Sequence, residues 1–304
     1  MTRRNAVPIL EESLDVGDCG NFMYGGVRMF LCGDFSEPTC PQYPECFRRP
    51  QPRREDALAE EVTSLLAAVP PAPTSAAPKA LICPHAGYIY SGAIAASAYG
   101  LLRPYAATIR RVILLGPCHR VGVRGLAVPG VQGFATPLGT VVLDQQAISA
   151  ALKLPQVIRH DGAHAAEHSL EVQLPFLQQV LGSFSLVPCA VGFATADEVA
   201  EVLEMLWGGP ETLIVVSSDL SHYQSYADAQ KCDQHTADNI EHLRLLVDSE
   251  QACGSIPING LITMAQRRGL QPQLLDLRNS GDTAGDKSRV VGYASIAFME
   301  PTHD

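Results

Sequence analysis

Three histidines stand at the ends of three short apolar runs. ALIC comes shortly before His85, VILLG before His119, and LIVVSS before His222. Continuous apolar runs bounded by turn residues are typical of buried strands in a parallel sheet. Ligands of open α/β sheets bind beyond the carboxyl ends of the strands, so we expect the three imidazoles to converge there. Because imidazole suits zinc, iron, copper and nickel, the pattern predicts a transition-metal site.

An acidic residue and a cysteine could complete this chemistry. Asp219 and His222 are three positions apart, and the pair could bind the metal, orient a ligand or transfer protons, since a neutral imidazole is a plausible general base. Cys253 precedes a glycine and a predicted helix, where the helix dipole favours a thiolate. It is a candidate soft ligand or redox thiol, although a small apolar filler of the core fits equally well. Cys118, beside His119, is a second candidate redox thiol.

A further histidine pair lies between these segments. His164, Glu167 and His168 match H-x-x-E-H, a zinc-peptidase pattern in which both histidines bind zinc and the glutamate is the base. So short a pattern arises easily by chance, and His168 and Glu171 could instead cap a helix and reach the same site together. Tyr88 could line a pocket for an aromatic substrate or simply pack against a small-residue helix. Tyr88 and Glu171 are predicted to line the substrate pocket.

Strands and helices alternate from residue 56 to the end of the chain. Buried strands are predicted at 80–83, 111–115, 185–192 and 212–218, and helices at 56–69, 91–100, 145–154, 196–207, 227–248 and 257–268. The runs GLAVPG and GTVVLD predict short strands or a hairpin, and QLLDLRNSGD and RVVGYASIAFME predict the closing strands. This alternation predicts an α/β fold with a mostly parallel sheet flanked by helices.

Composition narrows the function classes. The 304 residues carry a formal net charge of −10, which argues against nucleic acid as a main partner because phosphate binding needs a basic surface. No apolar run is long enough to span a membrane, and acidic residues stand where a signal peptide would be apolar. We therefore predict a cytoplasmic protein. The nine cysteines lack the paired spacing of a secreted disulfide framework, and no nucleotide-binding glycine motif is present.

The first 55 residues differ from the rest. They are rich in proline, show little periodicity and hold four widely spaced cysteines, without the close pair that a zinc site uses: Cys19, Cys32, Cys40 and Cys46. We predict a divergent, disordered leader over residues 1–55 and one domain over residues 56–304. Residues 70–78 are predicted to be a proline-rich linker to the first strand.

Five segments together resemble the MEMO family. They are PHAGYIYSG (84–92), GPCHRVG (116–122), EHSLEVQLPFL (167–177), SSDLSHY (217–223) and CG-x-x-PI (253–258). Prokaryotic members of this family are labelled AmmeMemoRadiSam system protein B, and the family is similar to the class III extradiol (LigB-type) dioxygenases. The resemblance covers residues 56–304 and implies a single α/β domain with a metal site at the strand ends. Residues 1–50 lack the family's usual opening segment.

The resemblance also implies roles for single residues. By motif, it implies three metal ligands (His85, His119 and Cys253), an acid–base pair (Asp219 and His222) and a histidine facing the site (His168). In the dioxygenases a glutamate stands where Cys253 stands here. A thiolate prefers softer metals such as copper and is itself oxidisable, so ring cleavage does not follow from the fold.

We interpret the chain as a cytoplasmic, metal-dependent, oxidoreductase-like protein that binds one iron or copper ion, with zinc as a further option. Family association implies a radical SAM protein and an AMMECR1-domain protein as partners, and a small molecule or peptide as ligand. One alternative is a non-catalytic module that binds a peptide or partner, as animal members are thought to do. The other is a zinc hydrolase that uses His164, Glu167 and His168.

Overall fold

A computed structural model describes residues 30–32, 52–70 and 77–301 of the chain. The strands are β1 Phe30–Cys32, β2 Pro78–Cys83, β3 Arg111–Pro117, β4 Leu126–Val128, β5 Gly133–Thr136, β6 Gly139–Leu143, β7 Val157–Arg159, β8 Ser185–Val191, β9 Thr212–Ser217, β10 His222–Gln224, β11 Gln271–Asn279 and β12 Val290–Met299. The α-helices are α1 Pro52–Ala67, α2 Ala93–Tyr99, α3 Gln145–Ala151, α4 Gly162–Ala165, α5 Leu174–Leu181, α6 Ala196–Leu206, α7 Tyr226–Glu241 and α8 Ser255–Arg268. Short π- and 3₁₀-helical turns occupy Tyr88–Gly92, Gly100–Tyr105, Glu171–Gln173 and Ser280–Asp282.

One mixed sheet joins the strands in the order β1-β5-β6-β8-β3-β9-β2-β12-β10, with β11 paired to β12, β4 to β8 and β7 to β4. At its centre β8, β3, β9 and β2 run parallel, whereas β12 is antiparallel to β2. Every residue of β2 and β9 is buried. Because successive side chains point to opposite faces, helices must cover both faces of these strands. The predicted α/β fold with its parallel central sheet is confirmed.

Two groups of helices form these layers. Helices α1, α2 and α5 contact one another, and α6 contacts both α3 and α8. Helix α6 begins where the sequence predicts, because the Thr195 hydroxyl accepts a hydrogen bond from Glu198 N while the Glu198 carboxylate accepts one from Thr195 N. Helix α7 lies against β11 and β12.

The predicted helix over 227–248 is wrong over its last seven residues. Helix α7 ends at Glu241, and Leu243 takes a left-handed φ of 54°. The Asn259 side chain accepts a hydrogen bond from Leu246 N and donates one to Leu246 O, which holds this stretch in a non-helical course. The turn leads the chain back to Cys253, so a tertiary constraint overrides the local helical pattern.

The predicted leader lies mostly outside the described residues, as does most of the proline-rich linker. Within the leader, Phe30–Cys32 pairs antiparallel with β5. The boundary at residue 56 stays a prediction. In the described part of the chain no helix is both long and apolar enough to cross a membrane.

Candidate metal centre

Three neighbouring parallel strands deliver the polar residues to one edge of the sheet. His85 follows β2, His119 follows β3 and Asp219 follows β9, which lies between those two strands. The rings of His85 and His119 have their centroids 5.5 Å apart. Cys253 reaches the same place from the turn before α8, and its Sγ lies 3.4 Å from His85 Nε2. The expected convergence at the carboxyl ends of the strands therefore occurs for His85 and His119.

His85, His119 and Cys253 form a candidate ligand group, with one ligand atom each and all three atoms within 4.8 Å of one another. Bonds of ~2.3 Å to sulfur and ~2.05 Å to nitrogen that meet at a tetrahedral angle place the two ligand atoms about 3.5 Å apart. The observed separation of 3.4 Å between Cys253 Sγ and His85 Nε2 matches that span. His85 is 2% exposed but the His119 side chain is 30% exposed, so the group is open to solvent on one side.

The protonation of His85 follows from its neighbours. The Ser217 hydroxyl donates its single hydrogen to the Ser169 carbonyl at 2.6 Å. The Ser217 oxygen lies 2.9 Å from His85 Nδ1, so that nitrogen must be the donor. Burial lowers the pKa of His85 to about 4, which keeps the ring neutral at pH 7. The ring therefore carries its hydrogen on Nδ1 and leaves the Nε2 lone pair free on the side of Cys253, as a metal ligand requires.

Glu167 orients His119 in the same way. Its carboxylate is fully buried and accepts hydrogen bonds from His119 N at 2.6 Å, His119 Nδ1 at 2.9 Å and Ser169 N at 2.9 Å. Burial acts to raise the pKa of Glu167, but these donors outweigh it and lower the pKa to about 2. A carboxylate only accepts, so His119 carries its hydrogen on Nδ1 and presents Nε2.

Cys253 corrects one expectation from the sequence. Burial, followed by the charge of Asp219, raises the pKa of the Cys253 thiol to about 12. The predicted preference for a thiolate is wrong in these surroundings, because Gly254 rather than Cys253 caps the helix and burial dominates. Since His85 Nε2 has no hydrogen, the thiol donates to it. A cation that replaced this proton would meet both ligand atoms, and metal binding would release the proton.

Asp219 and His168 lie beside the candidate ligands. Asp219 is 5% exposed, accepts His85 N at 2.7 Å through Oδ1, and places Oδ2 3.9 Å from His85 Nε2. The His168 ring stacks on His119 with centroids 5.1 Å apart, and it lies 5.4 Å from the His85 ring. Burial lowers the pKa of His168, so its imidazole is neutral at pH 7 and can accept a proton.

The structure describes the local surroundings of three further predicted site residues. His222 is exposed and begins β10 instead of ending β9, and its Nδ1 is 2.8 Å from the Leu220 carbonyl. Tyr88 is buried, donates to the Val172 carbonyl at 2.9 Å and packs edge-on against an aromatic ring of the core. Glu171 is partly exposed at the start of a 3₁₀ turn. The contacts of Tyr88 are those of a residue packed in the core, which was the alternative to a pocket-lining role. The functional roles of all three residues stay predictions.

The zinc-peptidase arrangement expected from H-x-x-E-H does not form. Helix α4 ends at Ala165, so His164 and His168 do not share a helix face. His164 Nε2 lies 3.0 Å from the Ala127 carbonyl, and His164 belongs to neither candidate metal group of the described residues. The second group consists of His119, Glu167 and His168. Its central contact is the hydrogen bond that already orients His119.

Sequence reasoning missed the residues that orient the ligands. Serine is a common residue type in loops and at strand ends, so Ser217 and Ser169 gave no signal, and Glu167 appeared only within the zinc pattern and a family segment, without a role in orienting His119. Their role depends on contacts across the sheet, such as Gln173 Nε2 donating to Ser217 Oγ at 2.8 Å. The local signal for Glu167 was its place directly before the predicted His168, at the start of the family segment 167–177.

The fold and the site define an α/β protein with a histidine–cysteine ligand group at the carboxyl ends of parallel strands. The profile of the family described as Memo-like protein matches residues 51–297, and the chain belongs to this family. It is 36% identical over 231 residues to a MEMO1 family protein of Sulfolobus acidocaldarius, covering 71% of this chain and 81% of that protein. It is 38% identical over 235 residues to one of Ignicoccus hospitalis, covering 72% and 81%.

A third relative, the MEMO1 family protein of Aquifex aeolicus, is 36% identical over 234 residues, which cover 73% of this chain and 86% of that protein. The crystal structure of uncharacterized protein JW3007 from Escherichia coli K12 overlaps 71% of this chain and 98% of that chain, with a TM-score of 0.45 and 12% identity. That likeness is too distant to support an argument about either fold or function.

Proposed function

We propose that the protein binds one transition-metal ion, iron or copper, through His85, His119 and Cys253, and acts as a metal-dependent oxidoreductase of the dioxygenase-like kind. The supporting observation is that hydrogen bonds fix the tautomer of both imidazoles. Each gives its Nδ1 hydrogen to a fixed acceptor, Ser217 or Glu167, and so presents Nε2 to one shared space. Two imidazoles and one thiol favour iron or copper over calcium or magnesium, and zinc is also compatible with this set.

The chain's own residues would divide the remaining tasks. A bound iron or copper ion would supply one-electron chemistry and open positions for a substrate or O₂. The buried Asp219 carboxylate, 3.9 Å from His85 Nε2, would accept a proton from a group bound there. His168, neutral and 26% exposed, would exchange that proton with solvent at the open side. His222 would act with Asp219 as the second member of the acid–base pair.

We test this by elemental analysis of protein purified without chelator. Wild type is expected to carry about one iron or copper ion per chain, and the His85→Ala/His119→Ala variant none. The matched control is His235→Ala/His242→Ala, which removes two exposed histidines on and just after α7 and should keep the metal. A wild type that stays metal-free after anaerobic reconstitution would refute the proposal. Metal-loaded protein is then screened for O₂ uptake with catechols and redox partners.

A non-catalytic binding module is the second candidate. Large apolar side chains are exposed in the segments that follow three of the parallel strands: Ile89, after β2, is 68% exposed, Phe193, after β8, 74%, and Tyr223, in β10 after β9, 61%. An exposed apolar patch formed from such side chains would be a surface for binding a partner. A radical SAM protein, an AMMECR1-domain protein or a peptide would be that partner. Binding of a candidate partner that survives His85→Ala and Cys253→Ser would favour the module; binding lost together with the metal would favour the enzyme.

A further inference from the structure

One loop of four residues holds the backbone of the candidate metal centre. This loop, Ser218–Ser221, joins β9 to β10. The Ser218 oxygen accepts Gly254 N at 2.9 Å, the Asp219 carbonyl accepts Cys253 N at 3.2 Å, and the Asp219 carboxylate accepts His85 N at 2.7 Å. Two of the three candidate ligands therefore take their backbone positions from this loop.

The loop is itself held from two sides. On one side Leu220 N donates to the Gly292 carbonyl, and Gly292 N donates to the Ser221 carbonyl, each at 2.8 Å. On the other side the Asp233 carboxylate, carried by α7, accepts Ser221 N at 3.0 Å. Asp233 packs directly on the backbone of β12, since a Cβ added at Gly292 would lie 2.0 Å from Asp233 Oδ2.

Burying the carboxylate of Asp233 costs folding free energy. It is 2% exposed and forms no ion pair with any described residue. Burial raises its pKa to about 6. A buried carboxylate without a cationic partner lowers the stability of the folded state, and an apolar side chain at this position would avoid that cost. The group it serves, Ser221 N, belongs to the loop that holds the candidate ligands.

We propose that Asp233 is a positioning residue for the metal centre: by accepting Ser221 N, it fixes the loop Ser218–Ser221 and thereby the approach of Cys253 to His85. The proposal rests on the proposed metal site for its functional meaning. The structural role of Asp233 does not depend on a metal, because it concerns how firmly the Cys253 thiol is held beside His85. Replacing such a residue should raise the local exposure of Cys253 and lower the affinity for the metal.

The experiment measures the alkylation rate of single cysteines by peptide mass spectrometry in the full chain after chelator treatment. Asp233→Ala is expected to raise the rate at Cys253 about tenfold or more, without a matching rise at Cys118, and to weaken copper or iron binding by a similar factor. Asp233→Asn keeps an acceptor oxygen for Ser221 N and should stay near wild type. Ile240→Ala, a fully buried apolar position on the same helix, is the control for general loss of stability.

An unchanged rate at Cys253 in Asp233→Ala would overturn the proposal, and so would an equal rise in Ile240→Ala at equal loss of stability. If Asp233→Ala does not fold, Gly292→Ala displaces the same carboxylate from the other side and must give the same rise. A wild type that binds no metal would refute the proposed function, while the alkylation rates would still decide the role of Asp233.

Discussion

Replacing Glu167 with glutamine tests how the site orients His119. The variant keeps the shape of the side chain but has one acceptor oxygen and one NH₂ group, where wild type accepts three N–H donors with two oxygens. The NH₂ group of the glutamine must then face at least one of the N–H donors of His119 or Ser169. The change also removes the negative charge that stabilises the Nδ1 hydrogen of His119, while the position stays buried.

The pKa shift of Glu167 gives the expected size of the effect. Its pKa falls from 4.5 to about 2. A difference of about 2.5 pH units at about 1.36 kcal/mol each amounts to ~3 kcal/mol. His119 is 30% exposed, so solvent screening reduces this to ~2 kcal/mol. Because the folded-state pKa lies below the unfolded one, this stabilisation is complete above about pH 4.5 and is lost as the pH falls toward about 2.

The assay is urea denaturation of wild type and Glu167→Gln at several pH values, together with metal affinity at neutral pH. We expect a loss of ~2 kcal/mol at about pH 7 that shrinks below about pH 4.5, and metal binding weakened about tenfold to a hundredfold. Glu198→Gln is the matched control. The pKa of Glu198 is also lowered to about 2, by Arg124, but the pair is on the surface and should contribute little. A stability loss that is independent of pH, or unchanged metal affinity, would refute the reasoning.

Three further predictions follow from single contacts. Cys253→Ser should weaken copper binding more than zinc binding in competition titrations, because the thiolate is the soft ligand; equal loss for both would count against it as a ligand. Ser217→Ala should lower metal affinity about tenfold, since His85 Nδ1 loses its acceptor, and Ser97→Ala, outside the site, should not. Lys79→Met should cost at least ~3 kcal/mol in urea denaturation, because Lys79 Nζ donates to three carbonyls that would lose their partner; a cost below ~1 kcal/mol would show that water replaces it.

The sequence predicts the part of the site that depends on local pattern. The apolar runs before His85 and His119 have the length and composition of buried parallel strands, so their carboxyl ends, and hence the two histidines, could be placed at one edge of the sheet. Cys253 was recognisable because it precedes a helix and matches a family motif. These inferences need only strand direction and neighbourhood in the sheet.

The remainder depends on contacts between segments distant in sequence. The protonation of His85 is fixed by Ser217 and Ser169, which come from β9 and from the loop before α5. The end of α7 depends on Asn259, in α8. The raised pKa of Cys253 reflects burial, which the sequence does not reveal. Periodicity and motif spacing do not predict these contact partners, because each contact depends on how the helices pack against the sheet.

The distance along the chain between the candidate ligands has a consequence for biosynthesis. His85 and Cys253 touch across 168 positions of sequence. A ribosome-bound chain therefore already contains both histidines well before the cysteine has been translated, although β9, the strand that lies between β2 and β3 in the sheet, also follows later in the chain. Such a nascent chain could hold a metal only weakly, through two imidazoles. If the proposed metal site is correct, firm binding would begin only after the turn before α8 has been translated and has docked against His85, so acquisition of the metal would report a late step of folding.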